Sequence, residues 1–497
     1  MSATPPHVRV PGAPAGAARR IDPAQPPLVV DLDGTLIYSD LLWEGLLLFI
    51  KRHFWQLWLL PLWLLKGKAG FKSRLAARVA VDPAGLPYDR VLMEQIAGAR
   101  DGGRHIVLAT GAERRNADAV AAHTGLFDSV LATGDGVNLT SSNKAAALCR
   151  LYGERGFDYV GNSRADLAVW AVSRHAYAVT RAPFRLPGGR LTESMGGARA
   201  AVAPALLRAM RPRQWLKNLL VFVPMLAGHA VGATTLLQSL AAFVAFSLCA
   251  SSAYLLNDAL DAGDDRRHPV KRGRPIATGA LPLPVAIAAS ALLAALGLGL
   301  AWAASAISGG VPLLAGVVLI YFACTLAYSL LLKRLVMIDI VALAILYTLR
   351  ILGGSAATAI APSFWLLAFS FFIFLSLALL KRYSELFNLL RQGKDKTSGR
   401  GYTTADKTPI GVMGVNSAFL SVLIFMLYFN SQTVLTMYRH PYFLLGIVPL
   451  LVFWLGRLWI LAARGQVNED PVLYVSKDRV SLAVLALCLL LALAATY

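Results

Sequence analysis

Several clusters in this 497-residue chain have the residue types and spacing to do chemistry. One is Asp31-Leu32-Asp33-Gly34-Thr35, which closes a short apolar run. Two carboxylates two residues apart can take different roles, one attacking phosphorus and the other shuttling a proton. Gly34 and Thr35 turn the chain so that backbone N–H groups face an oxyanion. A second cluster runs through Asn257, Asp258, Asp261 and Asp265. This spacing, i, i+3, i+7, puts the three acids on one helical face. With Asn257 they make a chelating surface for Mg2+, useful against a diphosphate leaving group. Asp258 and Asp261 are therefore candidate catalytic residues, as are Asp31 and Asp33. Arg266, Arg267, His268, Lys271, Arg272 and Arg274 follow. They either neutralise phosphate oxygens or simply form the basic loop of a membrane protein. More cations flank apolar runs: Arg211, Arg213 and Lys217; Lys333 near Tyr328; and Lys381 and Arg382 beside Glu385. In the last place they suit a phosphate-bearing substrate better than a second metal. Asp339 and Arg350 lie inside an apolar stretch, where Arg350 needs a partner on another helix or a ligand phosphate.

Composition says what must hold these groups. Apolar residues make up 56% and charged residues 15%, against about 25% charged in soluble proteins. That points to the bilayer and excludes a disordered or fibrous chain. The net charge of +20 fits cytoplasmic loops with anionic lipid or phosphate partners. Nucleic acid is not an expected partner, because the basic residues sit beside apolar spans rather than in one soluble block. The cysteines, Cys149, Cys249, Cys324 and Cys488, form no CxxC pair and give no zinc site or disulfide framework. Residues 1–26 are rich in Pro, Ala and Gly, and read as a disordered tail rather than a signal peptide.

Residues 27–200 read as a doubly wound α/β domain. Short apolar runs end in polar turns at 27–34, 104–111, 158–163 and 175–180, with helical stretches between them. Ligands collect at the carboxyl ends of such strands. A helical insert, 41–80, interrupts the pattern. Its residues 41–65 carry Trp43, Trp55, Trp58 and Trp63, but Lys51, Arg52 and His53 leave no run long enough to cross a bilayer. The expectation is a cap lying on the membrane or on the second domain, or else a buried hairpin. Residues 205–497 read as an all-α membrane domain of about nine spans: 215–231, 234–256, 283–305, 309–332, 337–358, 363–380, 411–431, 441–462 and 479–497. Basic and neutral loops alternate. The basic loops and the α/β domain are then cytoplasmic, in an inner membrane, and the C-terminus lies opposite.

DxDGT(L/V) at Asp31 resembles the signature of haloacid-dehalogenase-type phosphatases. The resemblance implies that Thr110 binds phosphate, Lys144 stabilises the charged intermediate, and Asp166 shares a Mg2+ with Asp31. That family has GDxxxD at the last site, where this chain has Gly161-Asn162-Ser163-Arg164-Ala165-Asp166. An amide is a weaker Mg2+ ligand than a carboxylate. The substitution implies either a slow phosphatase or a retained fold with decayed catalysis.

NDxxDxxxD at Asn257, followed by HPxKRxRP, resembles the first aspartate-rich motif of the UbiA superfamily of intramembrane prenyltransferases. This implies a Mg2+-dependent transfer with loss of diphosphate. The second DxxxD motif of aromatic-acceptor members is absent. RPRQWLKN at 211–218, the aspartate motif, and LxKRxxE at 379–385 together look like the decaprenyl-phosphate phosphoribosyltransferase branch. That implies phosphoribosyl diphosphate as donor and a polyprenyl phosphate as acceptor. The product would keep a terminal phosphate that the first domain could remove. The alternatives are a prenyltransferase acting on an aromatic or other acceptor, and a transporter with a regulatory α/β domain.

Overall fold

The computed structural model describes residues 22, 24–65, 67–134, 138–307, 312–396, 400–429, 434, 437–467 and 470–497. Most of the expected N-terminal tail lies outside them. The chain divides into two compact units, one of Met1–Met210 with Leu255–Ala289, the other of Arg211–Tyr254 with Ser290–Tyr497.

The first unit is built on six parallel strands: β1 (Leu28–Val30), β2 (Ile106–Glu113), β3 (Ser129–Thr133), β4 (Asp158–Gly161), β5 (Ala176–Ala178) and β6 (Glu193–Ser194). Their order is β3-β2-β1-β4-β5-β6. The strand interiors are almost wholly apolar because helices cover both faces. Alternate residues feed separate cores: Leu28, Val30, Leu108 and Val160 on one side, Val29, Val107, Leu131 and Tyr159 on the other. β1 lies between β2 and β4, so its carboxyl end falls where the crossovers diverge. That is where an open α/β sheet binds ligands.

The insert is helical. It consists of α1 (Leu41–Arg52), α2 (Leu59–Leu64) and α3 (Gly67–Arg78). Asp40 caps α1 by accepting from Leu42 N–H at 2.9 Å and Trp43 N–H at 3.2 Å. None of the three helices has the ~20 residues a bilayer span needs. They bury Phe49, Trp63, Phe71, Leu75 and Val79 among themselves.

Sequence reasoning kept 255–289 in the membrane domain, yet this stretch packs with the first unit. Charge explains it. Arg266 donates to Glu44 at 2.6 Å, Arg267 pairs with Asp82, and Lys51 donates to Asp261 at 2.6 Å and Asp264 at 2.8 Å. Gly279, at φ +76°, lies against Tyr38 so closely that a Cβ there would stand 2.3 Å from the Tyr38 Cβ.

The described residues contain eight helices long and apolar enough to cross a membrane, not nine. They are Ala233–Leu260, Leu283–Ala306, Leu313–Leu330, Ile338–Thr358, Phe364–Arg391, Thr404–Phe429, Pro441–Ala463 and Arg479–Thr496. The expected first span, 215–231, is instead a 3-10 stretch, Pro212–Phe222, followed by the short helix Val223–Ala227. Tertiary contacts account for this form. Asn218 donates to Ser247 at 2.9 Å, Lys217 donates to Asp470 at 2.8 Å, and the Val221 carbonyl presses against Gly354. The far-side placement of the C-terminus rested on nine spans and does not follow from eight. In the second unit, Ser252 and Ser290 hydrogen-bond each other between neighbouring helices. Such bonds supplement packing where lipid gives no hydrophobic drive.

Candidate functional sites

In the first unit, Asp31 follows β1 directly. Lys144, early in the helix Ser141–Tyr152, donates to Asp31 Oδ1 at 2.7 Å. Burial pushes the Asp31 carboxyl up to about 6, against the pull of Lys144. Burial, with Asp40 nearby, pushes Asp33 well above the usual carboxylate range. Lys144 beside Asp31 favours its charged form, as a nucleophile needs, whereas among the described residues no such contact is made to Asp33, whose raised carboxyl suits an acid. Asp33 Oδ1 also accepts from Leu41 N–H at 2.8 Å, fixing the start of α1. Thr110 stands two residues beyond Leu108, the partner of Val30, so it shares the carboxyl end of the sheet with Asp31. It is fully buried, and its hydroxyl accepts from Ala112 N–H at 3.0 Å.

Asp166 is linked to this pair through a residue that sequence reasoning missed. Tyr159 donates to Asp166 Oδ1 at 2.8 Å and accepts from Lys144 at 2.9 Å. Asp166 Oδ2 also accepts from the backbone of Asn162 and Ser163. Asn162 takes the place of the expected acid, and its side chain lies over Gly34. A Cβ on Gly34 would sit 2.2 Å from the Asn162 amide nitrogen, at φ +72°. A cavity beside Asp33 and Asp40 is lined by Leu41, Gly45, Lys72 and Leu75 of the insert. Lys72 donates to Gly111 O at 2.6 Å, so the insert brings a cation to the strand ends.

The aspartate motif does not form the expected three-acid face. The helix stops at Leu260, and Asp261 turns at φ −97°, ψ 5° to begin the short helix Ala262–Arg267. This break redirects Asp261 to Lys51. Asp258 and Asp265 are still brought together. Their oxygens lie 2.9 and 2.6 Å from one nitrogen of Arg274, and their side chains are only 2% and 4% exposed. Among the described residues no three His, Cys, Asp or Glu converge to hold a metal. A pair of buried carboxylates aimed at one cation position nevertheless has the hard-oxygen chemistry that Mg2+ takes. The residues fit the ion as a two-carboxylate set, with Arg274 now at the focus. Arg274 was expected to meet phosphate and here meets these acids. Asn257 precedes them and is half-buried, while Lys271 and Arg272 are exposed on the turn Lys271–Gly273.

In the second unit, Lys217 and Lys381 come together on an acid missed in the sequence. Asp470 Oδ2 accepts from Lys217 at 2.8 Å and from Lys381 at 3.0 Å. Burial would raise the Asp470 carboxyl, but Lys381 and Lys217 hold it well below the usual range. Lys217 also lies over the Tyr347 ring, 5.6 Å from its centroid. Arg350 finds partners on other elements, as expected: it donates to Asn218 Oδ1 at 2.7 Å and Tyr321 OH at 2.9 Å.

Arg382, expected to meet a phosphate, is instead held by acids. Its side chain is 0% exposed and ion-paired with Asp339 and Glu385, so in this structure it braces helices. Tyr402 donates to the same Asp339 at 2.6 Å, and Arg400 also pairs with Glu385. Arg213 is exposed, and Tyr328 and Lys333 are half-buried near the end of the helix Leu313–Leu330.

Residues 219–476, just over half of the chain, match the UbiA prenyltransferase family, and the chain belongs to that family. Eight apolar helices fit a multi-pass membrane protein of this kind. Among its relatives is the uncharacterized protein y4nM of Sinorhizobium fredii, 35% identical over 467 residues, which are 92% of this chain and 88% of that protein. Another is the decaprenyl-phosphate phosphoribosyltransferase of Mycolicibacterium smegmatis, 40% identical over 206 residues. That match covers 40% of this chain and 63% of the relative. The solved UbiA homolog from Archaeoglobus fulgidus bound to DMAPP and Mg2+ is 16% identical, with a TM-score of 0.45, over 58% of this chain and 99% of that one.

Proposed function

We propose that this chain transfers phosphoribose from phosphoribosyl diphosphate to a polyprenyl phosphate at the inner membrane, with the α/β unit on the cytoplasmic side. The observation that carries this reading is the cationic pair Lys217 and Lys381 on one shared carboxylate. One acid does not neutralise two ammonium groups, so the cluster keeps a positive charge suited to a phosphate. The named activity of the phosphoribosyltransferase relatives supports the same substrate class.

Asp258 and Asp265 would hold Mg2+, with Asn257 and Asp261 adjoining. When bound, the ion supplies Lewis-acid charge to a diphosphate leaving group. The chain's residues do the rest. Lys217 and Lys381 orient the acceptor phosphate, which is already anionic near neutral pH and needs no general base. Lys271 and Arg272 meet the departing diphosphate from the following turn. The anomeric C–O bond to diphosphate breaks as the lipid phosphate oxygen bonds to that carbon. Purified protein given labelled phosphoribosyl diphosphate and a polyprenyl phosphate should move label into the lipid phase. Activity only on a polyprenyl diphosphate with an aromatic acceptor would overturn the reading. Lys217→Ala and Lys381→Ala should each cost roughly 10–100-fold in kcat/KM for the acceptor, the worth of one charged hydrogen bond.

The first unit is proposed to remove the product's 5-phosphate as a haloacid-dehalogenase-type phosphatase, supported by the Lys144–Asp31 contact. Asp31 would attack phosphorus as the ester oxygen leaves with a proton from Asp33, water would then attack the aspartyl phosphate to free inorganic phosphate and regenerate Asp31, and Thr110 and Lys144 would hold the phosphate. Asp31 and Asp166 would hold the Mg2+ of this site, with Asn162 making it weak. Asp31→Asn should abolish phosphate release from the phosphorylated product and leave label transfer to lipid intact. Release unchanged in that variant would contradict the assignment.

A further inference from the structure

We infer that the tip of the insert, from Phe54 to Leu65, is a membrane-interface anchor that holds the α/β unit against the bilayer. Within the insert, α2 and the turn before it are partnered on one side only. Phe49, Trp63, Phe71 and Leu75 are buried between them, whereas Trp55 is 82% exposed, Trp58 63% and Leu65 83%. Leu62 and Leu64 are exposed beside them. Soluble surfaces rarely display so many large apolar groups together. An indole is suited to the headgroup level, where its ring meets hydrocarbon and its N–H meets water.

What covers the patch follows from where the insert is fastened. The first unit contains Leu255–Ala289 and therefore the ends of two apolar spans, Ala233–Leu260 and Leu283–Ala306. At the end of α1, Lys51 donates to Leu260 O at 3.3 Å and to Asp261 Oδ1 at 2.6 Å. Leu260 is the last residue of its span. Lys51 thus ties the insert to the end of a helix long and apolar enough to cross a membrane. The exposed tip begins three residues after Lys51. Arg52 before it and Lys68 after it are also exposed, and cations beside an apolar face favour anionic headgroups. The occupant is the lipid surface.

The test uses the full chain in nanodiscs of brominated phosphatidylcholine with an anionic lipid. A fluorescent amino acid is installed singly in place of Trp55, Trp58 or Leu65. The comparison site is Leu151, exposed on the same unit in the helix Ser141–Tyr152. All four sites are exposed, so the label should not disturb packing. Bromolipid should quench the three tip sites roughly twofold or more and leave Leu151 unquenched, because interfacial segments sit at the acyl boundary. Tip sites quenched no more than Leu151 overturn the proposal. Blue-shifted but unquenched emission at the tip also overturns it, since the patch would then be covered by protein.

Discussion

Asp258→Ala is expected to abolish transfer to lipid, with a loss of roughly 10²–10³-fold or more, the scale for removing one group that stabilises developing charge. Asp258 is buried and shares Arg274 with Asp265. Removing it leaves one carboxylate where the proposed Mg2+ site needs two, and leaves Arg274 paired to Asp265 alone. Asp261→Ala should cost much less, because Asp261 points to Lys51. The family resemblance ranks these acids together, whereas the structure separates them. Equal losses in the two variants, measured as initial rates over a Mg2+ titration, would contradict the two-carboxylate assignment.

Asp339→Ala is expected to destabilise the membrane unit by about 3–5 kcal/mol, because it leaves a buried arginine short of its partner. Both members of the Asp339–Arg382 pair are 0% exposed. The pair ties the helices Ile338–Thr358 and Phe364–Arg391, and Tyr402 joins it from the following segment. Replacing both partners, Asp339→Leu with Arg382→Met, should recover most of the loss, since apolar groups of similar volume carry no desolvation cost. Thermal unfolding in detergent compares the two variants. Label transfer in the double variant separates bracing from substrate binding. A stable double variant without transfer would return Arg382 to the substrate site.

The parts legible in the sequence were those fixed by local pattern. β1 and the Asp31 turn could be read because a buried parallel strand is a continuous apolar run closed by a polar turn. Membrane helices could be read from length and hydropathy, except at 215–231. There, hydropathy does not register that Lys217 and Asn218 point inward to partners far along the chain. Helix periodicity grouped Asp261 with Asp258 and Asp265, but the helix ends one residue before Asp261. Its partner Lys51 is 210 residues away, a separation no local pattern carries. Asp470 was missed for the same reason: it lies 89 residues from Lys381 and belongs to no motif. Tyr159 was hidden in a strand, where an aromatic residue reads as core.

The most direct test follows two labels through one reaction. Phosphoribosyl diphosphate carrying one label on the ribose and another on the diphosphate is mixed with the protein, Mg2+ and a polyprenyl phosphate. The account predicts ribose label entering the lipid phase and diphosphate appearing in water, one for one, with neither change in Asp258→Ala. Ribose label that stays in the aqueous phase, while the same protein moves the prenyl chain of a polyprenyl diphosphate onto an aromatic acceptor with release of diphosphate, would contradict it.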